Sequence, residues 1–202
     1  MKEYKLPIGC DVPETIILAD GDFPSHPLAL EWLRQCPYVV CCDGAANTYI
    51  RSGRMPEAIV GDGDSLLPDI KERYASLIHS EAEQETNDLS KAFRFCLSQE
   101  RKRITIMGAT GKREDHTIGN VSLLADYMEQ AEVSMMTDYG IFVPIREDSM
   151  FESYIGQQIS VFNMNSTALS AEGLAYPLSV FTNWWQGTLN EALARHFIIR
   201  TE

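Results

Sequence analysis

The chain has 202 residues, 45% of them hydrophobic and 23% charged, the balance of a folded globular protein and not of a disordered one. Lysine and arginine number 17 against 29 aspartates and glutamates, a net charge of −12. So acidic a chain is a poor binder of nucleic acid or anionic membrane, which need a positive field. A small phosphorylated ligand stays open, through local cations, backbone amides or a divalent metal. The opening residues lack the apolar core of a secretory signal, and no window approaches the roughly 18 apolar residues of a membrane span. A cytoplasmic location is therefore expected. The five cysteines form no CxxC pair and read as reduced, buried apolar residues. The four histidines make no ligand-spaced pair, which argues against structural zinc.

In chain order, residues 1–12, with Pro7 and Gly9, read as a loose lead-in. Apolar runs at 15–19, 38–42 and 58–60 predict strands, ending at Asp20-Gly21, Asp43-Gly44 and Gly61-Asp62. Helical stretches at 28–33, 45–51 and 70–78 separate and follow them. Leu89, Ala92, Phe93, Cys96 and Leu97 fall at helical spacing, with Thr86, Asn87 and Asp88 as capping residues at the start. Residues 104–107 predict a strand, leading through Gly108-Ala109-Thr110-Gly111 into a helix over 115–128. Such strand–loop–helix units imply an α/β domain, a mostly parallel sheet flanked by helices, over 1–131. From 132 to 202 the texture changes to short strand-like runs at 133–136, 141–145, 159–162 and 197–199. These predict a C-terminal antiparallel β-sandwich or barrel. Its roughly 70 residues bury little core alone, so it should lean on the first domain or on a second subunit.

The acidic residues cluster at strand ends. Asp43 follows the second strand, Asp62 and Asp64 follow the third, and Asp88 opens a helix. Strand C-terminal ends of an open parallel sheet line a ligand crevice. In an extended segment Asp62 and Asp64 face the same way, and converging carboxylates suit Mg2+ shared with substrate phosphates. A solvated Asp/Gly turn is the competing reading. Gly108 to His116 combines glycines that admit a phosphate, a helix start, and the planar fork of Arg113. It is not a Walker loop. A plain turn competes here too, with Asp115 as a helix cap and His116 as a packed core residue. Thr182-Asn183-Trp184-Trp185 places adjacent tryptophans on a segment expected to be extended. One should be exposed, able to hold a flat or cationic ligand, or else one fills the core and the other covers a seam.

Taken together, Asp43 to Asn47, Gly61 to Ser65, Gln84 to Ala92, Gly108 to His116 with Asn120, and Gly173 to Leu178 followed by Thr182-Asn183 resemble the thiamine pyrophosphokinase family. The resemblance covers nearly the whole chain. It implies a homodimer with active sites at the subunit interface. It implies Mg2+-dependent transfer of pyrophosphate from ATP to the hydroxyethyl group of thiamine, releasing AMP. By that resemblance Asp62 and Asp64 bind metal, and Asp43 and Asp88 complete the shell or orient the hydroxyl. Arg113 pairs with phosphate. Asn47, Gly108, Gly111, Asp115, His116 and Asn120 line the nucleotide end, and Gln84, Thr182, Asn183 and one of Trp184 or Trp185 contact thiamine. Gly63, Lys112 and Glu85 depart from the usual family residues. A metal-dependent phosphohydrolase and a non-catalytic nucleotide or thiamine sensor are the rival readings.

Overall fold

In the computed structural model, which describes residues 1–7, 11–81, 83 and 85–202, the chain forms two units. Met1–Ile8 joins Ile145–Glu202 in one, and Gly9–Pro144 makes the other. Strand β1 (Lys2–Tyr4) belongs to the first.

The larger unit begins with β2 (Thr15–Leu18), α1 (Pro27–Gln35), β3 (Val39–Cys42), α2 (Ala45–Arg51) and β4 (Ala58–Gly61). It continues with α3 (Pro68–Arg73), β5 (Ile78–Ser80), α4 (Asp88–Ser98), β6 (Arg103–Met107), α5 (Glu114–Tyr127), β7 (Glu132–Met136) and β8 (Ile141–Phe142). The sheet order is β5-β4-β3-β2-β6-β7-β8, parallel except for the last pair. Every residue of β2, β3 and β4 is buried, because helices cover both faces of a parallel sheet and leave no solvated side. Ile17, Val40 and Cys42 point into one core with Leu89, Ala92 and Phe93 of α4 and Leu124 of α5. Ile16, Leu18, Val39 and Cys41 point into the other, with Ala29, Trp32 and Leu33 of α1 and Tyr49 of α2. Cys41 and Cys42 thus occupy opposite faces, as strand alternation requires. Cys36, Cys41, Cys42 and Cys96 are free thiols, and Cys10 lies outside the described residues.

Three expectations are corrected. The helix read over 70–78 ends at Arg73, and Ile78–Ser80 pairs with β4 instead, a tertiary override of local pattern. The division falls at 144 and not at 131, because β7, in parallel, and β8, antiparallel, extend the large sheet. Within the lead-in, Lys2–Tyr4 is not loose: it pairs in parallel with Ser149–Phe151.

In the smaller unit, β9 (Ser149–Glu152), β11 (Leu169–Glu172) and β13 (His196–Thr201) form a sheet with β1, in the order β1-β9-β13-β11. β13 runs antiparallel to both of its neighbours. β10 (Gln158–Ile159) and β12 (Asn190–Glu191) make a separate antiparallel pair. Leu178, Ala192, Phe197 and Ile199 form the buried centre. Tyr4, Phe151 and Phe197 stack in series across β1, β9 and β13, with ring centroids 4.7 and 5.0 Å apart.

Candidate active site

The chain reverses its direction across the large sheet at β2. Strands β3, β4 and β5 lie to one side, β6 and β7 to the other. Open parallel sheets bind ligands beyond the strand ends at such a point. There the loop after β2 and the glycine-rich loop after β6 interlock. The Gly21 amide donates to the Gly108 carbonyl at 2.6 Å and the Asp22 amide to the Thr110 carbonyl at 2.8 Å. A Cβ at Gly21 would collide with the Gly108 and Thr110 carbonyls, and one at Gly111 with the Asp22 carboxylate. Lys112 adopts a left-handed φ of 57°. Its Nζ donates to the Asp20 carbonyl at 2.9 Å and to Asp20 Oδ1 at 3.0 Å. Asp20, Asp22, Thr48 and Lys112 help line a hollow of about 150 Å³.

One strand further out, Asp43 and Asp88 meet over Gly61, the last residue of β4. A Cβ at Gly61 would stand 3.3 Å from Asp43 Cγ and 3.4 Å from Asp88 Cγ, so this close approach needs glycine. Asp43 is buried, at a φ of 28°. Its Oδ2 accepts from the Ser65 amide at 2.9 Å, while its buried Oδ1 has no hydrogen-bond partner among the described residues. Burial pushes the Asp43 carboxyl above its ordinary pKa. The negative charges of Asp88 and Asp62 push the same way, and the Ser65 amide opposes them.

The segment carrying Asp62 and Asp64 is not extended. Gly63 takes a φ of 78°, and the Asp64 amide donates to Asp62 Oδ1 at 3.1 Å. This turn corrects the expectation that strand alternation sets both carboxylates on one face. Asp62 is half-buried and Asp64 exposed. Lys71 Nζ donates to the Gly63 carbonyl at 2.9 Å. Asn47 holds the turn's far end, its Nδ2 donating to the Ser65 carbonyl at 2.8 Å and its Oδ1 accepting from the Leu67 amide at 3.0 Å. Asn47 therefore braces the carboxylate loop.

Among the described residues, no three carboxylate, imidazole or thiol groups gather closely enough to hold a metal by themselves. Mg2+ does not require that: it keeps several waters and takes one or two carboxylates plus substrate phosphates. The unpaired, buried Oδ1 of Asp43 among neighbouring carboxylates is an acceptor without a donor, which fits a cation.

Arg113 is exposed and forks onto its neighbour: Nε donates to Asp115 Oδ1 at 3.1 Å and Nη2 to Asp115 Oδ2 at 2.5 Å. That hydrogen-bonded pair holds the Asp115 carboxyl below its ordinary pKa and the Arg113 guanidinium above its own. His116 is exposed on the first turn of α5, which corrects its reading as a packed core residue. Gly111, Arg113, Glu114, Thr117 and Ile118 line an open hollow of about 380 Å³. Asn120 is buried. Its Nδ2 donates to the Ala109 carbonyl at 2.8 Å, and its Oδ1 accepts from Asn87 Nδ2 at 3.0 Å. Asn87 in turn caps α4, its Oδ1 accepting from the Ser90 amide at 2.9 Å. Asn120 thus joins the glycine-rich loop to the helix start that carries Asp88.

In the smaller unit, Trp184 and Trp185 lie on a single 3-10 turn, not an extended segment. Both are exposed, 54% and 71%, so neither fills the core. Asn183 and Gln186 cap the turn reciprocally, and Gln186 Oε1 also accepts from the Thr182 amide at 3.0 Å. Gln84 lies outside the described residues. Asp20, Asp22 and Lys112 were not among the predicted site residues, although Asp20-Gly21 ends a strand just as Asp43-Gly44 does.

The chain matches the family model for the thiamin pyrophosphokinase catalytic domain over residues 29–136 and that for the thiamin pyrophosphokinase substrate-binding domain over 140–202. It is 30% identical over 129 residues to thiamine pyrophosphokinase 1 of Oryza sativa subsp. japonica, covering 52% of this chain and 49% of that protein. It is 34% identical over 86 residues to the thiamine pyrophosphokinase of Bacillus subtilis, covering 41% of this chain and 40% of that one. The chain spans about half the length of the curated relatives it matches. Among solved structures, yeast thiamin pyrophosphokinase superposes with a TM-score of 0.80 at 16% identity, over 100% of this chain and 88% of that one. The Candida albicans protein gives 0.76 at 19% identity, over 99% and 89%. At such identities these two likenesses are of fold.

Proposed function

Because the chain belongs to the thiamin pyrophosphokinase family, we propose that it transfers the terminal pyrophosphate of ATP to the hydroxyethyl group of thiamine, forming thiamine diphosphate and AMP. The observation that carries this reading is the match of both domain types in one chain, catalytic over 29–136 and substrate-binding over 140–202. The carboxylates around Gly61 support it, because a pocket so acidic repels ATP without a cation. Asp62 and Asp64 would hold Mg2+, with Asp43 and Asp88 completing its shell through water or orienting the thiamine hydroxyl. Mg2+, when bound, neutralises charge on the phosphate oxygens. Pyrophosphoryl transfer leaves the protein mainly positioning and charge stabilisation to supply. Arg113 would exchange its fork from Asp115 to phosphate oxygens, and the glycine-rich loop with Asp115 and His116 would border the nucleotide. Gln84, Thr182, Asn183 and one of Trp184 or Trp185 would contact thiamine, whose cationic thiazolium suits an exposed indole face. A homodimer with sites shared between subunits, acting in the cytoplasm, completes the reading; the free thiols fit that reducing compartment.

The test is product analysis. AMP and thiamine diphosphate should accumulate in equal amounts from ATP and Mg2+ only when thiamine is present. Phosphate release without thiamine would identify a phosphohydrolase, and binding without turnover a sensor; either defeats the proposal.

A further inference from the structure

α4 presents an apolar face to the sheet, with Leu89, Ala92, Phe93 and Cys96 buried. On the same helix Lys91 is buried as well, its side chain only 3% exposed. Its Nζ donates to Asp88 Oδ1 at 3.1 Å, and Asp88 is its hydrogen-bond partner among the described residues. An ammonium taken out of water is costly unless a charge receives it, so the burial of Lys91 is explained by the carboxylate it meets. That carboxylate faces Asp43 across Gly61, and Asp43 Oδ1 has no hydrogen-bond partner among the described residues.

We propose that Lys91 is the resident counter-cation of this carboxylate cluster. It is a positioning residue that fixes Asp88 in the free protein and keeps the cluster from taking up a divalent ion before a nucleotide brings one. The ammonium competes for Asp88 and repels a second cation at short range, where partial burial weakens screening. The phosphates of a metal–nucleotide complex supply the negative charge that offsets this repulsion. Metal and nucleotide then enter together.

The inference rests on the reading that the cluster takes a metal, and its test reads metal binding apart from turnover. Mn2+ is titrated into the full-length, substrate-free protein and followed by electron paramagnetic resonance, with Mg2+ calorimetry alongside. Wild-type protein should bind weakly, with Kd near about 1 mM, and Lys91→Met at least about ten-fold more tightly, because the repelling charge is gone. Lys91→Arg, which keeps the charge, should stay close to wild type. Unchanged or weaker binding by Lys91→Met overturns the proposal. If that variant does not fold, wild-type binding of Mn2+ alone at or below about 10 μM, a hundred-fold tighter than expected, overturns it equally. Thiamine-dependent AMP release together with unaltered Mn2+ affinity in Lys91→Met would reject the role of Lys91 and keep the enzyme. Tighter Mn2+ binding by Lys91→Met, with no thiamine-dependent AMP release from the wild-type protein, would reject the enzyme and keep the counter-cation.

Discussion

Asp43 sits where the fold is least comfortable with a negative charge: buried, left-handed in φ, and facing two other carboxylates. A carboxyl whose pKa is raised on folding binds its proton more tightly in the native state than in the unfolded chain. Stability therefore falls as pH rises from the ordinary value of 3.8 through the raised one, and stays lower above it. Asp43→Asn removes that loss. Thermal melts should show the variant more stable than wild type at pH 7, with the gap closing as pH approaches 4, while activity is largely lost, a stability–function trade-off. Asp64 is exposed, so Asp64→Asn should leave the melting curve nearly unchanged. Its turnover should fall by about 100-fold or more, a few kcal/mol of transition-state stabilisation; near-normal turnover at saturating Mg2+ would remove Asp64 from the site. The clustering of Asp43, Asp62 and Asp88 was legible in sequence because each stands at the end of an apolar run or the start of an amphipathic one. Asp20 ends an apolar run too, but its pairing with Lys112 was not legible. Their meeting depends on β2 lying beside β6, a pairing between residues 15–18 and 104–107 that no local pattern encodes.

Between elements, the glycine-rich loop is gripped from both sides, by the Gly21 and Asp22 amides and by Asn120. Such a loop presents Arg113 from a fixed base. Arg113→Lys keeps the charge but loses the planar fork, so steady-state kinetics should show a marked fall in kcat/KM for ATP, with thiamine binding in the absence of nucleotide unchanged. Lys112→Ala should have the smaller effect, because the Lys112 ammonium is already engaged by Asp20. A larger loss from Lys112→Ala would move the phosphate contact from Arg113 to Lys112. The central strands were readable because each is a short apolar run ended by glycine or aspartate. The strands KEY (Lys2–Tyr4), SMFE (Ser149–Glu152) and LSAE (Leu169–Glu172) carry charges and are largely half-exposed or exposed. Only their partners make them strands. Likewise Asn47 and Asn120 stand inside recognisable motifs, but their work is bracing backbone carbonyls, which depends on loops distant in sequence.

For the molecule as a whole, the smaller unit exposes Phe162, Tyr176, Trp184, Trp185 and Leu189. The proposed twofold dimer would cover such surface with a second copy. Sedimentation equilibrium at micromolar concentration should give twice the chain mass of 22.7 kDa. A fully active monomer would contradict shared sites. The smaller unit also has an unusual timetable. Lys2 pairs with Ser149, and β9 pairs in turn with β13, which ends at Thr201. During synthesis, therefore, β1 emerges long before its neighbour exists, and the whole of Gly9–Pro144 is made in the interval. The larger unit's pairings all close within that stretch, so it is placed to fold first, as domains do when the chain leaves the ribosome. The smaller sheet closes last, across the longest sequence separation among the strand pairings of the described residues, where contact order makes assembly slow. Until then its aromatic strand residues Tyr4, Phe151 and Phe197 have no stack to join, and that is the window in which a chaperone, or aggregation, would meet this chain.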